Sequence, residues 1–440
     1  MTQLKLAYGT SDQKIEIPSS CNVQTATLHH YNAVEDAHVE IERALDNPIS
    51  SEPLQDIVSG KKKVAIVVED LTRPTQVTSW VLPVLLERLR KVAIEKRQLK
   101  VVVAVGAHEG QMLDILDAKV GLGLLTSLDA TMHNCLDKNQ LTFLGTTTYA
   151  TPVWVNSIVA ESEVKIGIGN IRPHVWDGYT GGGKIILPGV SSWESIGHNH
   201  FLAINEKSGL GVLQGNPVRD DTDQCARKAG LSFVVNTVMN ERGNLVKAFA
   251  GDLVKAHRRG ATLSRRIYET QLKDNADILV WACGPNDATL WDCFNSAILM
   301  KQAEQVLKRN GTIILLAECS QGLNRKNDGH FHYDGTSSDS EMLRILSSGA
   351  APEEILSEAK RYKISYPELA AKGYLLAKLA EEKNVYIATG LDAKYVGWLG
   401  RKVSSAQEAL DKALEQEGRD AKIAILSQES LSGAFFAKKS

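Results

Sequence analysis

Val64-Ala65-Ile66-Val67-Val68 is an unbroken apolar run that stops at the charged pair Glu69-Asp70. From Leu82 to Lys96 apolar residues recur at three- and four-residue spacing, which predicts a helix. A second apolar run follows, Val101-Val102-Val103-Ala104-Val105, ending at Gly106-Ala107-His108. Strands buried on both faces read as continuous apolar runs, whereas half-solvated strands alternate. Strand, helix and strand in this order predict a parallel α/β sheet covered by helices. Val164-Lys165-Ile166-Gly167-Ile168 and Phe233-Val234-Val235 extend the series.

The pattern restarts beyond residue 270, with candidate strands at Ile278–Trp281, Thr312–Leu316 and Val385–Ala388. Helices are expected over Ala297–Val306, Ser340–Leu346, Pro352–Glu358 and Tyr366–Glu382. The polar stretch Thr270–Asn275 separates the two series. The expectation is therefore an N-terminal domain over residues 1–270 and a C-terminal α/β domain over residues 271–440. A length of 440 residues suits two cores rather than one. The chain opens with an expected hairpin, Leu4–Tyr8 and Lys14–Ile17, turning through Gly9–Gln13.

Composition excludes several classes. A net charge of −2 gives no electrostatic footprint for nucleic acid. No apolar run approaches the ~20 residues of a membrane span, and the first residues carry no signal-like segment, which points to the cytoplasm. The six cysteines include no CxxC pair and read as reduced thiols.

Chemistry-bearing residues gather where the apolar runs stop, which is where such sheets place their ligands. The densest segment is Gly169-Asn170-Ile171-Arg172-Pro173-His174-Val175-Trp176-Asp177-Gly178-Tyr179-Thr180-Gly181-Gly182-Gly183-Lys184. Three glycines allow close backbone approach and offer N–H groups to an anion. Ile185 follows Lys184, so this is not a phosphate-binding P-loop, and no GxGxxG fingerprint is present. Lys184 reads as a phosphate-binding cation or a nucleophile. Gly197-His198-Asn199-His200 supplies two histidines suited to a metal. Asp70-Leu71-Thr72-Arg73-Pro74 and Gly106-Ala107-His108 complete the set. His29-His30 and His330-Phe331-His332 resemble metal pairs, but alternation in extended chain is the commoner reason for that spacing.

These segments, in this order, resemble the nickel-pincer lactate racemase family; Gly251-Asp252 with Ala256-His257-Arg258 adds to the likeness. The resemblance implies two mainly parallel, helix-flanked domains with the active site in the cleft between them. It implies a nickel-pincer nucleotide, pyridinium-3-thioamide-5-thiocarboxylic acid mononucleotide nickel, joined covalently to Lys184 beside Gly181, Gly182 and Gly183. His200 would ligate the nickel, in preference to His198. His108 and His174 would be paired acid/base groups, Arg73 would grip a carboxylate, and Asp70 would orient a histidine or the substrate hydroxyl. The implied reaction is racemisation or epimerisation at C2 of a small 2-hydroxyacid through a 2-oxoacid, with separate proteins maturing the cofactor.

One departure stands out. The family typically carries a tyrosine–glutamine pair and then a lysine in a loop of the second domain. Here Trp291, Asp292 and Asn295 occupy those positions. Loss of the cation points away from lactate and toward a larger 2-hydroxyacid, such as a sugar acid or one with a bulky side chain. An NAD-type hydroxyacid dehydrogenase and a non-catalytic carrier or sensor of the pincer nucleotide are the alternatives. The missing fingerprint argues against the first and the two acid/base histidines against the second.

Overall fold

A computed structural model describes residues 1–26, 29–70, 76–108, 116–117, 123–284, 288–290, 293, 303, 305–323, 338–360, 367–427 and 436–439. Two compact units emerge: His29–Tyr268 forms one, and Met1–Leu28 joins Glu269–Asp328 and His332–Ser440 in the other. Both are built on six-stranded sheets, and the fold class is α/β as expected.

In the unit His29–Tyr268 the strand order is Leu245–Gly251, Phe233–Met239, Val164–Asn170, Val64–Glu69, Leu99–Ala104, Ala130–Met132. Every neighbouring pair is parallel except Phe233–Met239 with Leu245–Gly251, which is antiparallel. Val64, Ala65, Ile66, Val67 and Val68 are each 0% exposed, so both faces of this central strand are covered. Each valine or isoleucine among them contributes about 1.5–3 kcal/mol through burial. One face packs Ile66, Val68, Val101, Val103 and Ile166 against Ile41, Val81 and Leu85 of the flanking helices. Gly167 opens the other face: a Cβ there would stand 2.7 Å from Ile185 Cγ2, so its absence lets the chain around Lys184 lie on the sheet.

The helix expected over Leu82–Lys96 runs instead over Val77–Lys91, passing through Pro83. Its buried residues Val77, Val81, Leu85 and Leu89 keep helical spacing across the proline. The shift at the far end follows from the backbone, because Ala93 takes a positive φ of 61° and cannot continue a helix.

The second unit has an all-parallel sheet in the order Arg401–Val403, Asn384–Ala388, Leu307–Leu316, Ala276–Ala282, Lys422–Ser427, Asn22–Thr25. The opening hairpin forms between Thr2–Tyr8 and Ser11–Ile17, turning at Gly9 with φ 56°, tighter than the expected loop. It lays Leu6, Ile15 and Ile17 on Ala409, Leu410 and Ala413 of helix Ala406–Glu417. The change of unit at Tyr268/Glu269 lies beside the expected boundary, but residues Met1–Leu28 belong with the C-terminal part rather than with the N-terminal domain. The reason is a pairing distant in sequence: Asn22–Thr25 adds a parallel strand beside Lys422–Ser427. Helices stand at Ser338–Ser347, Pro352–Lys360 and Pro367–Glu382, close to expectation, whereas the one expected over Ala297–Val306 lies largely outside the described residues. No helix among the described residues is long and apolar enough to cross a membrane. All six cysteines are free, and all but Cys21 are buried.

Candidate active site

Two histidine–aspartate pairs form at the carboxyl ends of the first sheet. Strand Val64–Glu69 ends in Glu69, whose Oε1 accepts from the Asn170 amide at 3.0 Å, and is followed by Asp70. Strand Leu99–Ala104 leads into a turn where Gly106 has φ 59° and the His108 amide bonds Val105 O at 3.1 Å. That turn brings His108 Nδ1 to 2.8 Å from Asp70 Oδ2, with the Asp70 side chain 3% exposed and that of His108 33%. The carboxylate holds the Nδ1–H, so the lone pair of the neutral ring falls on Nε2. Asp70, whose role the residues alone left open between histidine and substrate, thus lies on His108. The Gly106 amide also donates to Gly189 O at 2.9 Å, tying this turn to the segment that follows Lys184.

The second pair lies in a tight antiparallel turn, Pro173–His174 against Gly178–Tyr179. Gly178 is obligatory there, since its φ is 76° and a Cβ would stand 2.1 Å from Val212 O. The turn buries Asp177 completely. Asp177 Oδ2 lies 2.6 Å from Lys184 Nζ and 3.2 Å from His174 Nδ1. Oδ1 accepts from Thr222 Oγ1 at 3.1 Å, with Arg219 Nη2 at 3.9 Å. Burial would raise this carboxyl, but Lys184, His174 and Arg219 overcome it and hold the group well below the usual carboxylate range.

Lys184, 8% exposed, sits in a short 3-10 helix, Gly182–Ile185. The glycines before it are packed on protein. A Cβ on Gly181 would meet Asn236 Oδ1 at 2.6 Å, one on Gly182 would meet His257 Cγ at 2.9 Å, and one on Gly183 would meet Thr222 O at 3.0 Å. The Gly182 amide donates to Asn236 Oδ1 at 3.0 Å. His257 Nε2 donates to Thr180 O at 2.8 Å, and burial keeps this imidazole neutral, helped by Arg219 and Arg258. His257 is thus the residue of the Gly251–Arg258 segment that packs against the glycine run, at Gly182.

His198 and His200 ride on helix Trp193–Phe201, capped by Ser192. His198 is exposed and His200 only 8% so. Between them Asn199 anchors the helix, donating to Val218 O at 3.0 Å and Asp221 Oδ2 at 2.9 Å. Helix Pro217–Lys228 therefore holds both halves of the site, because its Arg219 donates to the carbonyls of Asp177, Tyr179 and Gly181. Residue reasoning missed Asp177, Arg219 and Asp221. The His174-x-x-Asp177 spacing and the Asn216-Pro217 helix start were the available signals.

His133 buttresses the same region. It follows Ala130–Met132, is 4% exposed, and donates from Nε2 to Ser191 O at 2.8 Å. Burial pushes its pKa down to about 4. A base depressed below its unfolded value of about 6.5 stays neutral in the fold while the unfolded chain takes up a proton. Its contribution is therefore present above pH 6.5 and is lost as pH falls toward 4, roughly 3 kcal/mol in all. Denaturant titrations at pH 7 and pH 4.5 should show this acid loss in the wild type and a smaller one in His133→Gln. Equal losses would contradict it.

Elsewhere, His30 Nδ1 is 2.7 Å from Glu241. Among the described residues one group has metal-like spacing, His38 with Glu42 and Glu87, but Glu42 pairs with Arg88 and Glu87 with Lys91 on an open surface. Arg73, Trp291, Asp292, Asn295 and the pair His330 and His332 lie outside the described residues.

Comparison with known proteins identifies relatives of the chain. Residues 8–211 match the lactate racemase N-terminal domain. A lactate racemase of Lactiplantibacillus plantarum is 28% identical over 414 residues, 92% of this chain and 91% of that protein. The structure of the lactate racemase apoprotein from Thermoanaerobacterium thermosaccharolyticum superposes with a TM-score of 0.82 at 26% identity, covering 100% of both chains. A Thermotoga maritima protein shares the fold, with a TM-score of 0.65 at 16% identity, covering 93% of this chain and 100% of that one. The lactate racemase sequence of Thermoanaerobacterium thermosaccharolyticum is 30% identical over 357 residues, 79% of this chain and 82% of that protein, and the chain belongs to the lactate racemase family.

Proposed function

We propose that the protein is an isomerase that racemises or epimerises a 2-hydroxycarboxylic acid at C2, by reversible hydride removal through a 2-oxoacid. The observation that carries this reading is the duplication of the histidine–aspartate pair: His108 with Asp70, and His174 with Asp177, each joined at Nδ1. A planar 2-oxoacid can be rebuilt on either face, so such an enzyme needs one proton-transfer group for each orientation of the hydroxyl. Two imidazoles with a carboxylate at Nδ1 meet that need, each accepting a hydroxyl proton on Nε2 and returning it.

Family membership implies a nickel cofactor, and the residues present fit a polar ligand held at the sheet ends. Asn170 and Asn236 project from paired neighbouring strands, and both are 1% exposed. The Asn170 side-chain Nδ2 and Oδ1 and the Asn236 Nδ2 have no hydrogen-bond partner among the described residues. An orphaned buried amide costs about 1–3 kcal/mol, which a polar ligand would offset. In this reading Lys184 carries the pincer nucleotide covalently, the packed glycines fix where Lys184 stands, and His200 offers its imidazole to nickel. The bound group supplies the hydride acceptor. Arg73 grips the substrate carboxylate in a two-pronged hydrogen bond. Trp291, Asp292 and Asn295, in place of the family's tyrosine, glutamine and lysine, set a preference for an acid larger than lactate, and dedicated maturation proteins load the chain.

Co-expression with a pincer-cofactor maturation system tests this. Intact mass and metal analysis should reveal a nickel- and sulfur-containing adduct that is absent from Lys184→Ala. A bare polypeptide from a system that loads a known lactate racemase would overturn the reading. On a substrate panel, lactate outperforming every larger 2-hydroxyacid would overturn the proposed specificity.

A further inference from the structure

Lys184 Nζ and His174 Nδ1 contact the same oxygen of the same carboxylate. Asp177 Oδ2 lies 2.6 Å from the lysine and 3.2 Å from the imidazole. His174 Nδ1 has a second set of neighbours, the backbone amides of Trp176 at 3.2 Å and Asp177 at 3.3 Å. These two sets demand opposite protonation. Toward the amides Nδ1 must accept and so carries no hydrogen. Toward Asp177 it must donate and so carries one. The turn therefore offers His174 two hydrogen-bonding states, and what selects between them is how much of Oδ2 the lysine claims.

We propose that Asp177 is a positioning residue that couples attachment at Lys184 to the acid/base histidine: once the lysine is neutral, Oδ2 passes to His174 Nδ1–H and Nε2 becomes the proton-exchanging nitrogen. The proposal rests on the reading that Lys184 is the attachment point. Condensation of the lysine ammonium with a ring thiocarboxylate forms an N–C bond and breaks the C–O bond. The oxygen leaves as water with two of the three ammonium hydrogens. The cation and the thiocarboxylate charge disappear together, leaving a neutral thioamide N–H. That nitrogen still donates but brings no charge to Oδ2.

The remaining groups around Asp177 do not change on attachment. Arg219 approaches Oδ1 at 3.9 Å and is itself shared with Asp223 at 3.5 Å, and Asp223 is held by Arg258 at 2.5 Å. Thr222 donates to Oδ1 at 3.1 Å, and the nearby His257 is neutral. The histidine is thus the group left to answer the lost charge on Oδ2. An unloaded chain keeps His174 in the accepting state, a poor base at Nε2, and a loaded chain converts it. Attachment at one residue arms the acid/base group ten residues earlier in the chain.

The apo chain tests this without any cofactor. His174 is titrated by ring nitrogen and carbon NMR in wild type, Lys184→Gln and Lys184→acetyl-lysine, the latter two keeping an N–H donor while removing the charge. The expected result is a His174 midpoint about one pH unit higher in both variants, with the neutral ring switching to the Nδ1–H tautomer. In Lys184→Gln/Asp177→Asn the tautomer switch should vanish. A neutral ring that stays Nε2–H in the single variants would overturn the proposal, as would a switch that survives Asp177→Asn. Should the double variant not fold, the tautomer in the single variants still decides, because direct repulsion by Lys184 shifts a midpoint without choosing a tautomer. Failure of the attachment reading registers separately, in the intact mass of the loaded wild type.

Discussion

His108→Gln is expected to lower the rate of racemisation about 10²–10⁴-fold in both directions, and His174→Gln by a similar factor. Glutamine matches the size and polarity of the imidazole but cannot carry a proton at neutral pH. On the proposed mechanism each histidine serves one orientation of the hydroxyl, taking the proton as hydride leaves and returning it when hydride comes back. Interconversion needs both. The half-reaction from a single enantiomer to bound 2-oxoacid needs only one. Single-turnover quench experiments should therefore find 2-oxoacid from one enantiomer in His108→Gln and from the mirror-image one in His174→Gln. The two variants would fail as complements of each other, a signature that general damage to the site would not produce. Equal impairment of both enantiomers in both variants would mean that the histidines act as a unit rather than as alternates. Asp70→Asn should follow the pattern of His108→Gln at smaller amplitude, since Asp70 orients His108 through the 2.8 Å bond at Nδ1 and does not transfer the proton itself.

The parts of the molecule that were legible in the sequence share a physical property: their signal is local. A central parallel strand must be apolar on both faces, so Val64–Val68 announced itself, and the polar groups beyond it and its neighbour Leu99–Ala104, Asp70 and His108, mark the sheet end where ligands belong. The parts that were not legible depend on partners far away in the chain. Met1–Leu28 joins the second unit by pairing with residues roughly four hundred positions later, and no window of residues carries that information. Helix Pro217–Lys228 was missed for a different reason. Its buried side includes Arg219, Asp221 and Thr222, so a search for apolar periodicity takes the helix for a surface element. The glycine run shows the same limit in reverse. Gly181 to Gly183 suggested close approach to a ligand, and the structure answers with close approach to Asn236, His257 and Thr222. A glycine reports that something is near, but not what.

That polar helix leads to the largest expected effect on stability, in Arg219→Leu. Arg219 is 0% exposed, and its guanidinium donates to three carbonyls of one loop: Nε to Asp177 O at 3.2 Å, Nη1 to Gly181 O at 3.3 Å, and Nη2 to Tyr179 O. It also stands beside the carboxylates of Asp177 and Asp223. Leucine fills part of the volume and replaces none of these bonds. Removing one partner of a buried charge cluster leaves the other uncompensated, which costs about 3–5 kcal/mol, unlike exchange of a whole cluster for apolar residues. At roughly 2–4 °C per kcal/mol for a unit of this size, Tm should fall by about 10 °C. Arg219→Lys should recover only part of this, because a single ammonium keeps the charge and cannot span three carbonyls in a plane. The loss should also reach the chemistry: Asp177 would have one fewer cation beside it, and the turn that sets His174 and Lys184 around Oδ2 would lose its clamp. Thermal denaturation of the apo chain, read alongside nickel retention in the loaded chain, separates the two consequences. A stability loss below about 1 kcal/mol would mean that water or a neighbouring side chain takes over the three carbonyls, and that Arg219 is a tolerated burial rather than the fastener of the site.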